Sequence, residues 1–231
     1  DLKSGFSITL ANHHATSTEK AADKQTLMLA RSISDAIIVG SNSLQYEDGN
    51  YTPEVTSPYL LDMRLKHKDS PTPAVIIMTR NLHNIDFSSQ LFTDIRFQVL
   101  VCCSETITQI PQNYSLHKLS SLNSRTLLGQ KNIIHIDTNL SIMLQILSNL
   151  GFKIIVNESP FIHHQLVEKH LLNEIWLNYS SSYIGGNITS LGHTQNSLTT
   201  MTHIDTEILT LHHIGYNFLY SRQAMRYPKN L

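Results

Sequence analysis

The chain has 231 residues, 41% of them hydrophobic, and a formal net charge of -1. That length suits a single α/β domain over 1–231, and that apolar share excludes a globally disordered chain. The balanced charge argues against nucleic-acid binding as the main task, and apolar runs of about six residues fall far short of the roughly 20 that cross a bilayer.

In chain order, residues 6–11 (FSITLA) alternate apolar and polar side chains and are expected to form a first strand, followed by the turn Asn12-His13-His14-Ala15. Thr16-Ser17-Thr18-Glu19 offers capping chemistry for a helix over 18–33. Residues 36–40 (AIIVG) predict a short, wholly apolar strand, Gly40-Ser41-Asn42-Ser43 a strand-to-helix turn, and 44–47 a short helical piece. The stretch 50–73 is polar, carries prolines and lacks a period. It is expected to be a long surface excursion with a short amphipathic part at 60–65.

Residues 74–78 (AVIIM) and 97–103 predict two further buried strands, with 104–131 irregular between the second of these and a strand at 133–136. Leu140, Met143, Leu144 and Leu147 keep helical register over 139–150. Residues 151–186 are expected to form one parallel unit of strand, tight turn, helix and strand. In it Ser159 serves as N-cap, Pro160 takes the first helical position, and Phe161, Leu166, Val167, His170 and Leu171 form the packed face. Two strands at 207–213 and 217–222 around Gly215 close the chain as an antiparallel hairpin. Strands alternating with helices and closed by a hairpin imply a mostly parallel sheet with an antiparallel edge.

Turns between a strand's carboxyl end and a helix's N-terminus are where anionic ligands bind such sheets, because free amides and the helix dipole face them. Gly40 and Ser159 are therefore expected on adjacent loops at one sheet edge. The thirteen histidines include the pairs His13-His14, His163-His164 and His212-His213. Adjacent residues diverge on strands and helices alike, so each pair offers one ligand at best and no metal is expected. Cys102 and Cys103 are neighbours on a predicted strand, read as core and not as a disulfide, which makes a reducing cytoplasm the simplest location. No signal-peptide pattern is read at residues 1–5, and triplets such as Asn50-Tyr51-Thr52 are read as chance matches to a glycosylation signal.

Several motifs, in order, resemble the pyrimidine reductases of riboflavin biosynthesis, a family with a dihydrofolate-reductase-like fold. Ala30-Arg31 with Asp35-Ala36-Ile37-Ile38-Val39-Gly40 matches the family's Leu-Arg-x-x-x-Asp-Ala-(Ile/Val)-x-Val-Gly in all but its first residue. Gly40-Ser41-Asn42-Ser43-Leu44-Gln45-Tyr46-Glu47 resembles Gly-x-x-Thr-x-x-x-(Asp/Glu). Residues 75–82, 88–94 and 218–222 resemble stand-alone members, and Val156-Asn157-Glu158-Ser159-Pro160 with Asn173-Glu174 and Gly185-Gly186 keeps the frame of the family's C-terminal signature.

The resemblance implies an NADPH-dependent reductase of a small heterocycle, such as a ribosylamino-pyrimidine, working as a homodimer joined through the closing strands. It implies His14 and Asn12 beside the reacting ring. The cofactor would lie against Ala11, Gly40, Ser41, Ser43, Glu47, Thr79, Arg80, Glu158, Ser159, Pro160, Phe161 and Ile162, and the substrate against Arg31 and Asn157. The chain departs from the family at two turns. His14-Ala15 replaces Asp-Gly, and Asn157-Glu158-Ser159 replaces Glu-Gly-Gly, which sets a carboxylate where a pyrophosphate is expected. The alternative is a non-catalytic or substrate-altered relative that keeps the fold and binds a nucleotide-like ligand or a partner.

Overall fold

The computed structural model describes residues 17–46, 51–107, 109–112, 114–118, 132–135, 140–180, 204–216 and 218–228. The strand expected at 6–11 lies outside them. The chain divides into two compact units, one of Leu27–Ser159 and one built from the chain up to Thr26 and from Pro160 onward. The helix α1, Ser17–Ile33, crosses the first boundary.

The first unit holds a six-stranded, wholly parallel sheet. Its strands are β1 (Ala36–Gly40), β2 (Ala74–Thr79), β3 (Val99–Cys103), β4 (Ser115–Lys118), β5 (Asn132–His135) and β6 (Ile155–Asn157), in the spatial order β4-β5-β3-β2-β1-β6. β1, β2 and β3 are apolar at nearly every position and buried on both faces, as a parallel sheet with both faces covered requires. One face carries Ile37, Val39, Val75, Ile77, Val101 and Ile133, packed with Ile85, Leu91, Phe92 and Phe97.

Helices α2 (Ser41–Tyr46), α3 (Pro58–Leu65), α4 (Gln90–Thr93) and α5 (Leu140–Asn149) belong to this unit. α2 begins directly after Gly40, so the serines read as a turn form its first helical turn. α5 buries Leu140, Met143 and Leu147. It ends on Gly151 at φ 98, where the Phe152 amide donates back to the Leu147 carbonyl at 3.1 Å.

The stretch read as a surface excursion is anchored instead. Tyr51 and Val55 are buried, and Arg64 on α3 is 3% exposed. Arg64 Nη1 donates to the carbonyls of Arg31 at 3.0 Å and Ser34 at 2.6 Å, and its Nε to Ser70 at 2.7 Å. Arg64 thus satisfies carbonyls that the end of α1 leaves without helical partners. Anchors set singly along a segment make no period, so the pattern alone did not show them. β4 was missed for a related reason: its side chains are mostly exposed, and backbone pairing to β5 makes it a strand.

The second unit contains α6 (Pro160–Glu168) and an antiparallel sheet in the order β7-β9-β8, from β7 (Glu174–Ser180), β8 (Asp205–Ile214) and β9 (Phe218–Arg226). Among the described residues β7 pairs only with β9. The unit expected to be parallel over 151–186 therefore divides: β6 joins the parallel sheet, and β7 joins the hairpin that the closing strands form.

α6 buries Ile162 and Leu166. His170, expected on the packed face, lies beyond the helix end at φ 55 and stacks on Tyr227 with ring centroids 4.5 Å apart. Across this unit, Asn178 on β7 donates to Asp23 on α1 at 2.6 Å, and the Tyr220 hydroxyl reaches the Glu19 carbonyl.

Candidate active site at the carboxyl edge of the parallel sheet

β2, β1 and β6 are neighbours and run parallel, so their carboxyl ends meet along one edge. Gly40 closes β1 there, and Ser159 follows β6. A Cβ on Gly40 would lie 3.1 Å from Ser159 Oγ, tighter than ordinary packing, so a side chain at position 40 would have to push the Ser159 hydroxyl aside. The two turns are adjacent, as expected.

Asn157 folds its own turn. Its Nδ2 donates to the Ser159 carbonyl at 2.9 Å, and its Oδ1 accepts the Ser159 amide at 3.2 Å. That local ring replaces the conformational freedom of two glycines with a side-chain-fixed loop. Ser41 and Ser159 are buried, whereas Ser43 is half-buried on α2.

Beyond β2, the Thr79 hydroxyl donates to the Asn81 carbonyl at 2.6 Å. The Arg80 carbonyl accepts the Glu105 amide at 2.9 Å and the Cys103 thiol at 3.2 Å, which leaves the Arg80 side chain exposed on a pinned backbone. Asn81 Oδ1 is buried with no donor among the described residues. A buried acceptor left without a donor costs about 1–3 kcal/mol, a cost that a ligand N–H or O–H would remove. Sequence reading passed over Asn81; an Asn closing a strand-end turn was its only signal.

The largest difference from expectation is at Arg31 and Glu158. Arg31 Nε donates to Glu158 Oε1 and Nη2 to Oε2, each at 2.9 Å, in a bidentate pair whose side chains are 8% and 13% exposed. Arg31 Nη1 donates to the Thr52 carbonyl at 3.0 Å, and the Tyr51 hydroxyl donates to Glu158 Oε2 at 3.0 Å. The guanidinium also lies 5.3 Å from the Tyr51 ring centroid. Glu158 is therefore not a bare charge facing a ligand but is neutralised by Arg31. Tyr51, the second member that sequence reading missed, sits in the polar stretch before α3, where no period marks it.

Asn12, His14, Ala11 and Glu47 lie outside the described residues. Pro160, Phe161 and Ile162 open α6 in the other unit. Cys102 and Cys103 are buried free thiols, and burial pushes the Cys102 thiol up to about 12, far from nucleophilic use near neutral pH. Among the described residues no three His, Cys, Asp or Glu side chains gather as a metal site. No described helix is long and apolar enough to cross a membrane.

The sequence matches no family model and no curated protein sequence. The fold does match solved structures. A pyrimidine reductase-like protein from Corynebacterium diphtheriae superposes with a TM-score of 0.68 at 20% identity, over 96% of this chain and 88% of that one. A form of Acinetobacter baumannii RibD gives 0.64 at 16% identity, over 92% of this chain and 52% of that one. A Thermotoga maritima diaminohydroxyphosphoribosylaminopyrimidine deaminase/5-amino-6-(5-phosphoribosylamino)uracil reductase gives 0.58 at 10% identity, over 94% and 50%. The chain thus spans most of the first protein and about half of each of the others. It has the α/β fold of the pyrimidine reductases, a parallel sheet with flanking helices and a smaller antiparallel sheet.

Proposed function

We propose that the chain is an NADPH-dependent oxidoreductase acting on a small heterocycle of the ribosylamino-pyrimidine kind. The observation that carries this reading is Gly40 set against Ser159 at the meeting of two parallel strand ends, where dinucleotides and nucleotides bind α/β sheets. Gly40, Ser41, Thr79 and Arg80 would hold the cofactor, with Ser43 on α2. Arg80 offers an exposed cation to an adenosine phosphate, and Asn81 Oδ1 offers an acceptor to a ligand N–H or O–H.

Bound NADPH would supply the hydride. The chain's own part would be to orient the ring and to supply a proton to the reduced atom, roles that the proposal gives to Asn12 and His14.

Thermal unfolding with NADPH, NADP and NADH tests the reading. Ligand at about 100 times Kd should add about 2.7 kcal/mol to stability. No shift with any of the three nucleotides at millimolar concentration overturns it. The bidentate Arg31–Glu158 pair favours a second reading, a relative that keeps the fold and binds a nucleotide-like ligand without turnover, because it removes from solution a cation that a phosphate would use. Nucleotide binding without NADPH oxidation on any pyrimidine substrate would select that reading.

A two-fold homodimer through the antiparallel sheet belongs to the same proposal. β8 is an edge strand of the described sheet, exposed along nearly its whole length, and it shows Ile208, Leu209 and Leu211 to solvent. A long apolar edge of this kind pairs with another chain unless something covers it.

A further inference from the structure

We propose that Glu158 is a specificity determinant, a built-in anion that fills the guanidinium of Arg31, so that the ligand of this site carries no phosphate where Arg31 would receive one. The inference rests on the reading of the carboxyl edge as the ligand site. It concerns the substrate's charge and not the cofactor.

Three features support a dedicated anion over a passing surface pair. The two-point edge of the fork is taken: Nε and Nη2 face the two carboxylate oxygens, and Nη1 faces the Thr52 carbonyl. An Arg fork matches carboxylate and phosphate by the same planar, two-point geometry, so the two anions compete for one place. The carboxylate is held from its own side as well. The Tyr51 hydroxyl donates to Oε2, the Tyr51 ring is part of the apolar core, and the Glu158 amide donates to the Ile38 carbonyl at 2.9 Å. Finally, the pair is mostly buried, at 8% and 13% side-chain exposure, so the guanidinium needs an anion beside it, and Glu158 is that anion.

An incoming phosphate would have to expel a carboxylate that is tied by covalent bonds to the end of β6. A group so tethered acts at high effective concentration and cannot diffuse away. The ligand chemistry that fits is an uncharged one, a heterocycle whose polyol or sugar end bears hydroxyls and no phosphate.

The test uses inorganic phosphate as the probe, at constant ionic strength set with chloride. The full chain and its variants Glu158→Gly, Glu158→Gln and Glu158→Gly/Arg31→Gln are followed by thermal unfolding and by calorimetric titration. The unsubstituted chain is expected to show no saturable phosphate binding. Glu158→Gly is expected to bind phosphate at least tenfold more tightly and to regain stability as phosphate is added; Glu158→Gln, which keeps the bulk, should gain less. The added Arg31→Gln change should abolish the gain.

Equal phosphate binding by Glu158→Gly and the double variant overturns the proposal, as does a folded Glu158→Gly that gains nothing. Should Glu158→Gly not fold, the unsubstituted chain still decides. Saturable phosphate binding that Arg31→Gln alone removes would show that Glu158 does not fill the fork, whereas its absence, together with a gain in Glu158→Gln, supports the proposal. No nicotinamide nucleotide enters these titrations, so failure of the reductase reading and failure of this inference are separate results.

Discussion

Gly40 and Ser159 stand at the ends of two hydrogen-bonded parallel strands, so close that a Cβ on Gly40 would lie 3.1 Å from Ser159 Oγ. That distance is tighter than ordinary packing and depends on one hydroxyl. Gly40→Ala should therefore destabilise the chain by about 1 kcal/mol, at the lower end of what overpacking costs. In a Ser159→Gly background the cost should fall, with a coupling of about 0.5 kcal/mol or more. Urea unfolding of the two single variants and the double variant measures it. Strict additivity would mean that the two turns do not press on each other.

Arg64 joins α3 to the end of α1 through carbonyls and, among the described residues, through no carboxylate. Burial lowers its pKa, while the nearby Asp35 charge works the other way. Arg64→Met keeps the stem but strands buried carbonyls, so a loss of about 3 kcal/mol is expected. Arg64→Lys should restore only part of it, because an ammonium cannot span the fork's positions. Full recovery with Lys, read from unfolding midpoints, would contradict this account.

His163 on α6 is held below its ordinary value of 6.5, first by burial and then by the neighbouring His164. The neutral form is therefore the one that the folded chain prefers. Its contribution is complete above 6.5 and declines as pH falls from 6.5 through the lowered folded-state value, because the unfolded chain binds the proton more readily. Acidification from about pH 7.5 to 5.5 should lower Tm, and His163→Gln should flatten that part of the profile. An unchanged slope in His163→Gln would remove His163 as its source.

If the exposed β8 edge is where two copies meet, the chain should be a dimer by light scattering at tens of micromolar. Ile208→Lys with Leu211→Lys places charges on that edge, which natural sheets use to block pairing. The doubly substituted chain should be a folded monomer. A monomeric unsubstituted chain at the same concentration would contradict the proposed assembly.

The burial of strands such as 36–40 and 74–78 was legible in the sequence because it is written as unbroken β-branched runs, and a parallel sheet covered on both faces needs nothing else. The helices over Ser17–Ile33 and Leu140–Asn149, the closing hairpin and the adjacency of the Gly40 and Ser159 turns followed from periodicity and strand order in the same way.

Only the tertiary structure decided that β7 pairs with β9 instead of extending the parallel sheet, since the strand's own residues suit either partner. It also decided that Tyr51, Val55 and Arg64 anchor a stretch with no period, and that Glu158 meets Arg31 across 127 residues of chain. A charge in a sequence carries no sign of its partner. Glu158 read alone is a repulsion waiting for a phosphate; once the chain folds Arg31 beside it, it is half of a neutral pair.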